Sequence, residues 1–137
     1  EFPIVESVSF KGNKIIKKAR LKEIVSLKKG SYWSPFLQKD ISKKIADEYK
    51  KKGYHLAKVN FSTKLLAENK VDITVQIEEG KKVFVKSIRI HGNKEIPTKK
   101  ILHLMKTKKA SLLRTGKFEQ EKFDSDLENI ISYYNKK

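Results

Sequence analysis

The pattern V-x-S-V-x-F-x-G-N that opens at Val5 returns at Val85 as V-x-S-I-x-I-x-G-N. A chain of 137 residues that repeats itself this way is built from copies of one small unit. Val5, Ser7, Val8, Phe10, Gly12, Asn13 and Ile16 correspond to Val85, Ser87, Ile88, Ile90, Gly92, Asn93 and Ile96, and Leu21 and Ile24 to Ile101 and Leu104. Further on, Tyr134-Asn-Lys-Lys echoes Tyr49-Lys-Lys-Lys, with the extra residues lying in the stretch Lys106–Lys117.

The first copy predicts its own elements. Ile4, Val8 and Phe10 fall on one face with Glu6 between them, the period of a half-buried strand. Gly12-Asn13 breaks it, and both residue types tolerate positive φ. Leu21, Ile24, Val25 and Lys28 then follow helical spacing, and Lys28-Lys29-Gly30 reads as the stop. Ser34-Pro35 is a side-chain cap followed by proline at the first helical position. The helix after it carries Leu37, Ile41, Ile45 and Tyr49 and ends at Gly53. Ala57, Val59, Phe61, Thr63 and Leu65 alternate with Lys58, Asn60, Ser62 and Lys64. After the turn Ala67–Lys70, Val71, Ile73, Val75 and Ile77 alternate with Asp72, Thr74, Gln76 and Glu78. Two such runs joined by a short polar turn form an antiparallel hairpin.

The expected fold is therefore α+β: a β-α-α-β-β module with two helices on a three-stranded mixed sheet. Lysine falls on Ala57–Leu65 and not on Val71–Ile77, which places Val71–Ile77 in the centre and Ala57–Leu65 at a free edge. The second copy predicts the same opening and a long helix whose apolar stripe is Phe123, Leu127, Ile130, Ile131 and Tyr134. The expected division is residues 1–80 and 81–137, the second module being incomplete because no second hairpin follows its helices. The chain is expected to be a fragment of a larger protein.

The order of these motifs resembles tandem POTRA domains of BamA-type outer-membrane assembly proteins. The residues that carry the likeness are Gly12-Asn13, Tyr49, Gly53-Tyr54, Glu79-Gly80, Gly92-Asn93 and Tyr134. The loop Leu112–Phe118 is similar to that of Bacteroidota-type members. The resemblance implies a periplasmic location and a role in receiving unfolded outer-membrane protein precursors or accessory lipoproteins. It leaves room for a two-partner secretion transporter.

Charge supplies the competing reading. Lysine and arginine number 32 against 16 acidic residues, for a net charge of +16. Such a balance suits an anionic membrane surface or nucleic acid. Yet the only arginines are Arg20, Arg89 and Arg114, and base-edge readers favour the planar arginine fork. A basic nucleic-acid-binding α+β domain is the alternative, and the acids Asp72 and Glu78 on the expected wet face argue against it.

No chemistry-bearing motif stands out. There is no cysteine, and His55, His91 and His103 have no partner at metal-ligand spacing, so neither metal nor cofactor is expected. Glu78 and Glu79 are strand neighbours and point to opposite faces, which denies them paired acid–base work. No enzyme is expected. Tyr49 and Tyr134 read as core residues at helix ends, whereas Trp33, in a loop, is a candidate contact to a neighbouring module or partner. The functional candidate is the edge strand, Leu56, Ala57, Lys58, Val59, Asn60, Phe61, Ser62, Thr63, Lys64 and Leu65, which offers unpaired backbone groups to an extended guest chain. Gly12, Asn13, Gly53, Gly80, Gly92 and Asn93 are assigned to the turns that shape each module.

Overall fold

The computed structural model describes residues 1–137, which divide into two compact units, Glu1–Lys81 and Lys82–Lys137. The first contains β1 (Ile4–Lys11), α1 (Lys18–Val25), α2 (Pro35–Lys51), β2 (Lys58–Leu66) and β3 (Lys70–Glu78). The second contains α3 (Thr98–Leu104) and α4 (Gln120–Asn135).

The first unit is a three-stranded mixed sheet in the order β1-β3-β2, with β1 parallel and β2 antiparallel to β3. Alternation drives it: Val71, Ile73, Val75 and Ile77 of the central strand are all buried and meet Ile41, Ile45 and Tyr49 of α2 in one core. Ser34 caps α2 as its sequence predicts, its side chain accepting from the Leu37 N–H at 3.1 Å.

Three expectations are corrected here. First, Val5 rather than Ile4 enters the core, because the β1–β3 register slips between Val5 and Ser7 and leaves Glu6 as an extra residue. A bulge of one residue exchanges the two faces of a strand, so Val5 joins Val8 and Phe10 on the helix side. Second, α1 stops at Val25 and does not reach Lys28. Ser26 takes the left-handed conformation, its N–H bonding the Lys22 carbonyl. The released chain is captured by β1, with Gly30 N–H donating to the Val5 carbonyl and Val5 N–H to the Ser31 carbonyl. Third, Trp33 is buried within its own unit, its ring edge-on to Phe61 with centroids 5.4 Å apart. An aromatic of that area finds its cover in the core nearest to hand.

The hairpin turn holds a local conflict. Glu68 and Asn69 both have positive φ, 60° and 55°. Asparagine tolerates this conformation and glutamate does not. The Glu68–Lys70 ion pair at 3.6 Å involves a glutamate side chain that is 80% exposed, so its loss costs little. Glu68→Gly should therefore stabilise the unit by about 0.5–1 kcal/mol, read as a raised urea midpoint with unchanged slope.

In the second unit Val83–Ile90 forms no ladder, against the strand expected from the repeat, and makes only a single bridge between Phe84 and Lys117. An isolated strand has nothing to bond to, and residues 82–137 contain no hairpin that would pair with it. Ile96, Ile101 and Met105 form the core there, with Phe123, Ile130, Tyr133 and Tyr134 packed around it. The expected stripe on α4 is corrected: Leu127 is 44% and Ile131 61% exposed, while Asp126 is fully buried. The Asp126 carboxylate accepts from the N–H groups of Lys106 at 2.8 Å and Thr107 at 2.9 Å. That tie sets the rotation of α4, and at roughly 100° per residue it carries Leu127 and Ile131 away from the core.

Candidate functional site

The sheet of the first unit has two edges, and they are not equivalent. The β1 edge is covered at its start by Gly30–Trp33, through an antiparallel bridge from Ile4 to Tyr32 and a bond from Trp33 N–H to the Pro3 carbonyl. Its next residue, Glu6, is the bulge and is held by Lys29 at 3.0 Å and Lys70 at 3.8 Å. Cover, a bulge and charge each discourage pairing. The β2 edge has neither cover nor bulge, and its charge is confined to Lys58 and Lys64: β2 pairs with β3 over nine residues in regular register, and no other segment of the chain pairs with it.

Most of the expected edge residues lie on this strand, but two do not. Leu56 sits in the turn before it and is 63% exposed, and Ala57 precedes the first rung while packing against the core. The turn after Gly53 consumes these two residues before the backbone reaches the sheet, so the ladder runs from Lys58 to Leu66. Val59 and Phe61 face the helices and are half-buried. Thr63 and Leu65 share that face yet are exposed, Leu65 at 70%. On the opposite face Lys58, Asn60, Ser62 and Lys64 are all exposed.

Beside the strand runs an open groove of about 730 Å³. Val59 and Phe61 form one wall, and Ser42 and Ala46 of α2 the other, with Lys39 and Lys43 on the rim. An extended chain laid along β2 would bond to its free backbone groups and drop every second side chain into this groove. The sheet's wet face offers less to an anion: Lys58 stands opposite Glu78 and Lys64 opposite Asp72. Each lysine there is answered by a carboxylate across the ladder.

The turn residues shape the ends of this platform. Asn13 and Asn93 make the same bond in the two copies, each side-chain amide donating to a carbonyl three residues on, at Ile16 and Ile96, at 3.0 Å. Gly53 ends α2, its N–H bonding the Lys50 carbonyl, and Gly80 packs beside Leu56.

Sequence reasoning missed the most heavily bonded side chain. A single oxygen of Glu79, Oε2, accepts from the Tyr49 hydroxyl at 2.6 Å, the Ile15 N–H at 2.7 Å and the Lys14 N–H at 3.0 Å. Burial pushes this carboxyl up, but the three donors outweigh it and hold it below the usual carboxylate range. Tyr49, fully buried, is pushed well above the usual phenol range by burial and then by its bond to Glu79. The available signal is that Tyr49 and Glu79-Gly80 both belong to the motif that carries the family likeness, but nothing in their spacing states that their side chains meet. No group of three or more histidine, aspartate or glutamate side chains could hold a metal ion.

A three-stranded mixed sheet under two helices, with one edge open and the opening pattern repeated downstream, defines a small α+β repeat module. The family model for POTRA, described as surface antigen variable number repeat, matches residues 3–80 and 83–137. The chain belongs to the POTRA family. It is 25% identical over 141 residues to the outer membrane protein assembly factor BamA of Neisseria meningitidis, covering 98% of this chain and 18% of that protein. It is 23% identical to BamA of Neorickettsia risticii over 138 residues, covering 98% of this chain and 19% of that one. The chain thus spans about a fifth of the length of these curated relatives. Among solved structures, POTRA domains 3–5 of Haemophilus influenzae BamA superpose with a TM-score of 0.72 at 17% identity, over 96% of this chain and 50% of that one. BamA of Haemophilus ducreyi lacking POTRA domains 1–3 gives 0.69 at 18% identity, over 94% of this chain and 24% of that one.

Proposed function

We propose that this chain is the periplasmic scaffold region of an outer-membrane protein assembly factor, with β2 of its first unit receiving extended polypeptide by strand addition. The observation that carries this reading is the uncovered, regular β2 edge beside an open groove with Val59 and Phe61 along one wall, in a unit whose other edge is blocked. The likeness to BamA supports the assembly role, and it favours that role over two-partner secretion. Unfolded barrel precursors and accessory lipoproteins are the guests this edge would suit. Main-chain bonding is largely indifferent to guest side chains and contributes about 0.5–1.5 kcal/mol net per hydrogen bond, which fits weak, reversible handling of many clients. The role is scaffolding, without catalysis.

Amide exchange tests it directly. On an edge strand every second backbone N–H points away from the sheet. In the free chain, alternate amides across Lys58–Leu66 should exchange fast and their neighbours slowly. Saturation with an extended peptide of alternating apolar and polar residues should slow the fast set and shift the signals of Val59 and Phe61. A duplex oligonucleotide should do neither. Protection appearing along β1 instead, or only with the oligonucleotide, would overturn the assignment. No helix of the chain is long and apolar enough to cross a membrane.

A further inference from the structure

The two units fasten their first extended segment in the same way, and the difference between them is a five-residue finger. In the first unit Gly30 N–H donates to the Val5 carbonyl and Val5 N–H to the Ser31 carbonyl. In the second, Ala110 N–H donates to the Val85 carbonyl and Val85 N–H to the Gly116 carbonyl. The bridges match as well, Ile4 to Tyr32 and Phe84 to Lys117. The residues that directly adjoin in the first unit, Gly30 and Ser31, thus correspond to Ala110 and Gly116, and Ser111–Thr115 is inserted between them. The offset between copies accordingly grows from 80 at Val5 and Val85 to 85 at Tyr49 and Tyr134.

This finger is built, not loose. At its neck, a Cβ on Gly116 would lie 2.7 Å from the Ala110 nitrogen, so the two limbs touch. Above the neck Ser111 N–H donates to the Arg114 carbonyl at 2.9 Å and Arg114 N–H returns to the Ser111 carbonyl at 3.4 Å. The Ser111 hydroxyl accepts from the Leu113 N–H at 3.3 Å. What this closed turn presents is Leu112 and Leu113, both essentially fully exposed at 105% and 96%. Adjacent leucines at the tip of a short closed turn are an unusual use of apolar surface in water.

Around the finger the charge has one sign. Between Lys106 and Lys117 stand Lys108, Lys109 and Arg114 and no acidic residue. Lys108, Lys109 and Arg114 also rim a cavity of about 700 Å³, together with Lys99 and Lys100 of α3. Its floor is apolar, from Ile88, Pro97 and Leu102, and no carboxylate lines it. None of these five cations forms a close ion pair, those of this unit being Glu119 with Lys117 and Lys122; Lys108 alone acts at longer range on a carboxylate, that of Asp126. Lys108 is pinned to the Leu102 carbonyl at 2.7 Å, and Lys100 lies 5.3 Å from the centre of the Tyr133 ring.

We propose that the second unit docks on an anionic phospholipid bilayer, with Leu112 and Leu113 inserted among the acyl chains and the Lys99, Lys109 and Arg114 side chains set against lipid phosphates. Paired apolar and cationic elements are what reversible bilayer binding requires, since either alone is marginal. A nucleic acid would use the cations and leave the leucines in water. The proposal concerns the second unit only and stands independently of the strand-addition reading of the first.

Co-sedimentation of the whole chain with vesicles tests it. Vesicles of phosphatidylcholine with about one-third phosphatidylglycerol should bind the chain, and phosphatidylcholine alone should bind it weakly. The double change Leu112→Asp with Leu113→Asp should lower partitioning by about tenfold or more. So should deletion of Ser111–Thr115, which recreates the direct connection of the first unit and therefore guards against a folding artefact. Because the chain has no cysteine, Leu113→Cys accepts a single polarity-sensitive fluorophore, whose emission should shift to the blue on binding. Full binding by the aspartate and deletion variants would overturn the proposal, as would an unshifted fluorophore or the absence of any vesicle binding.

Discussion

Gly12→Ala should cost the first unit about 3 kcal/mol or more, whereas Gly92→Ala, the same change in the repeated motif, should cost the second about 1 kcal/mol. Both glycines have positive φ, 84° and 80°, so the conformational penalty is shared. Their surroundings are not. A Cβ on Gly12 would lie 2.1 Å from the Ile77 carbonyl oxygen, which is backbone of the central strand and cannot rotate away. Around Gly92 nothing lies within 4 Å. The difference follows from the sheet: β1 leaves its neighbour β3 at Gly12, and the second unit has no β3. For a domain of this size each kcal/mol moves the melting temperature by roughly 4–8 °C, so Gly12→Ala should lower it by roughly 12 °C or more. Trp33, the single tryptophan and a buried member of the first unit's core, reports that unit's transition selectively by fluorescence, and exchange protection of the α4 amides reports the second unit's. Equal losses for the two variants would mean that φ alone sets the cost and that the close approach to Ile77 is of no consequence.

The contrast marks where sequence patterning is informative. Strand order was legible because period-two alternation and the placing of Lys58 and Lys64 depend on local burial and edge exposure, which residue type records directly. The bulge at Glu6 was not legible: it is a decision about register between β1 and β3, and nothing in I-V-E-S-V states which residue the partner skips. The early end of α1 was hidden because Leu27 and Lys28 continue its spacing, while the Ser26 stop is enforced by the capture of Gly30–Trp33 on β1. Asp126 misled in the opposite sense. A carboxylate is normally an outward residue, so the periodicity of α4 alone places Leu127 and Ile131 on its apolar stripe, and only two backbone amides 19 and 20 residues upstream turn Asp126 inward. In the candidate site the backbone edge was predictable; its first rung at Lys58, its groove against α2 and the exposed ends at Thr63 and Leu65 depended on tertiary placement.

Glu79→Ala should be the other severe change, lowering the stability of the first unit by about 3 kcal/mol. One carboxylate oxygen receives three donors, and of these the Tyr49 hydroxyl belongs to a side chain with no solvent exposure at all. Truncation leaves the proton of that hydroxyl without its carboxylate acceptor inside the core and frees the Lys14–Ile15 turn from the segment that follows β3. Tyr49→Phe removes the hydroxyl and its bonds to Glu79 and the Ile16 backbone together, and should cost about 1 kcal/mol. Combining the two should cost less than their sum, because alanine at position 79 does little harm once the hydroxyl is gone. The pH dependence carries its own signs. Glu79 is depressed in the folded state, so its contribution is complete above the ordinary carboxyl value of about 4.3 and is lost as pH falls through the lower native value. Tyr49 is raised in the folded state, so its contribution is complete below the ordinary phenol value of about 10 and declines as pH rises beyond it. Trp33 melting curves on the parent chain and on Glu79→Gln isolate the first effect, since every other carboxylate is common to both. The two should converge in acid and separate towards neutrality. Parallel curves between pH 2 and pH 6, roughly the window in which an ordinary or depressed carboxyl titrates, would show that the charge on Glu79 does not hold the Tyr49 hydroxyl and the Lys14–Ile15 turn together.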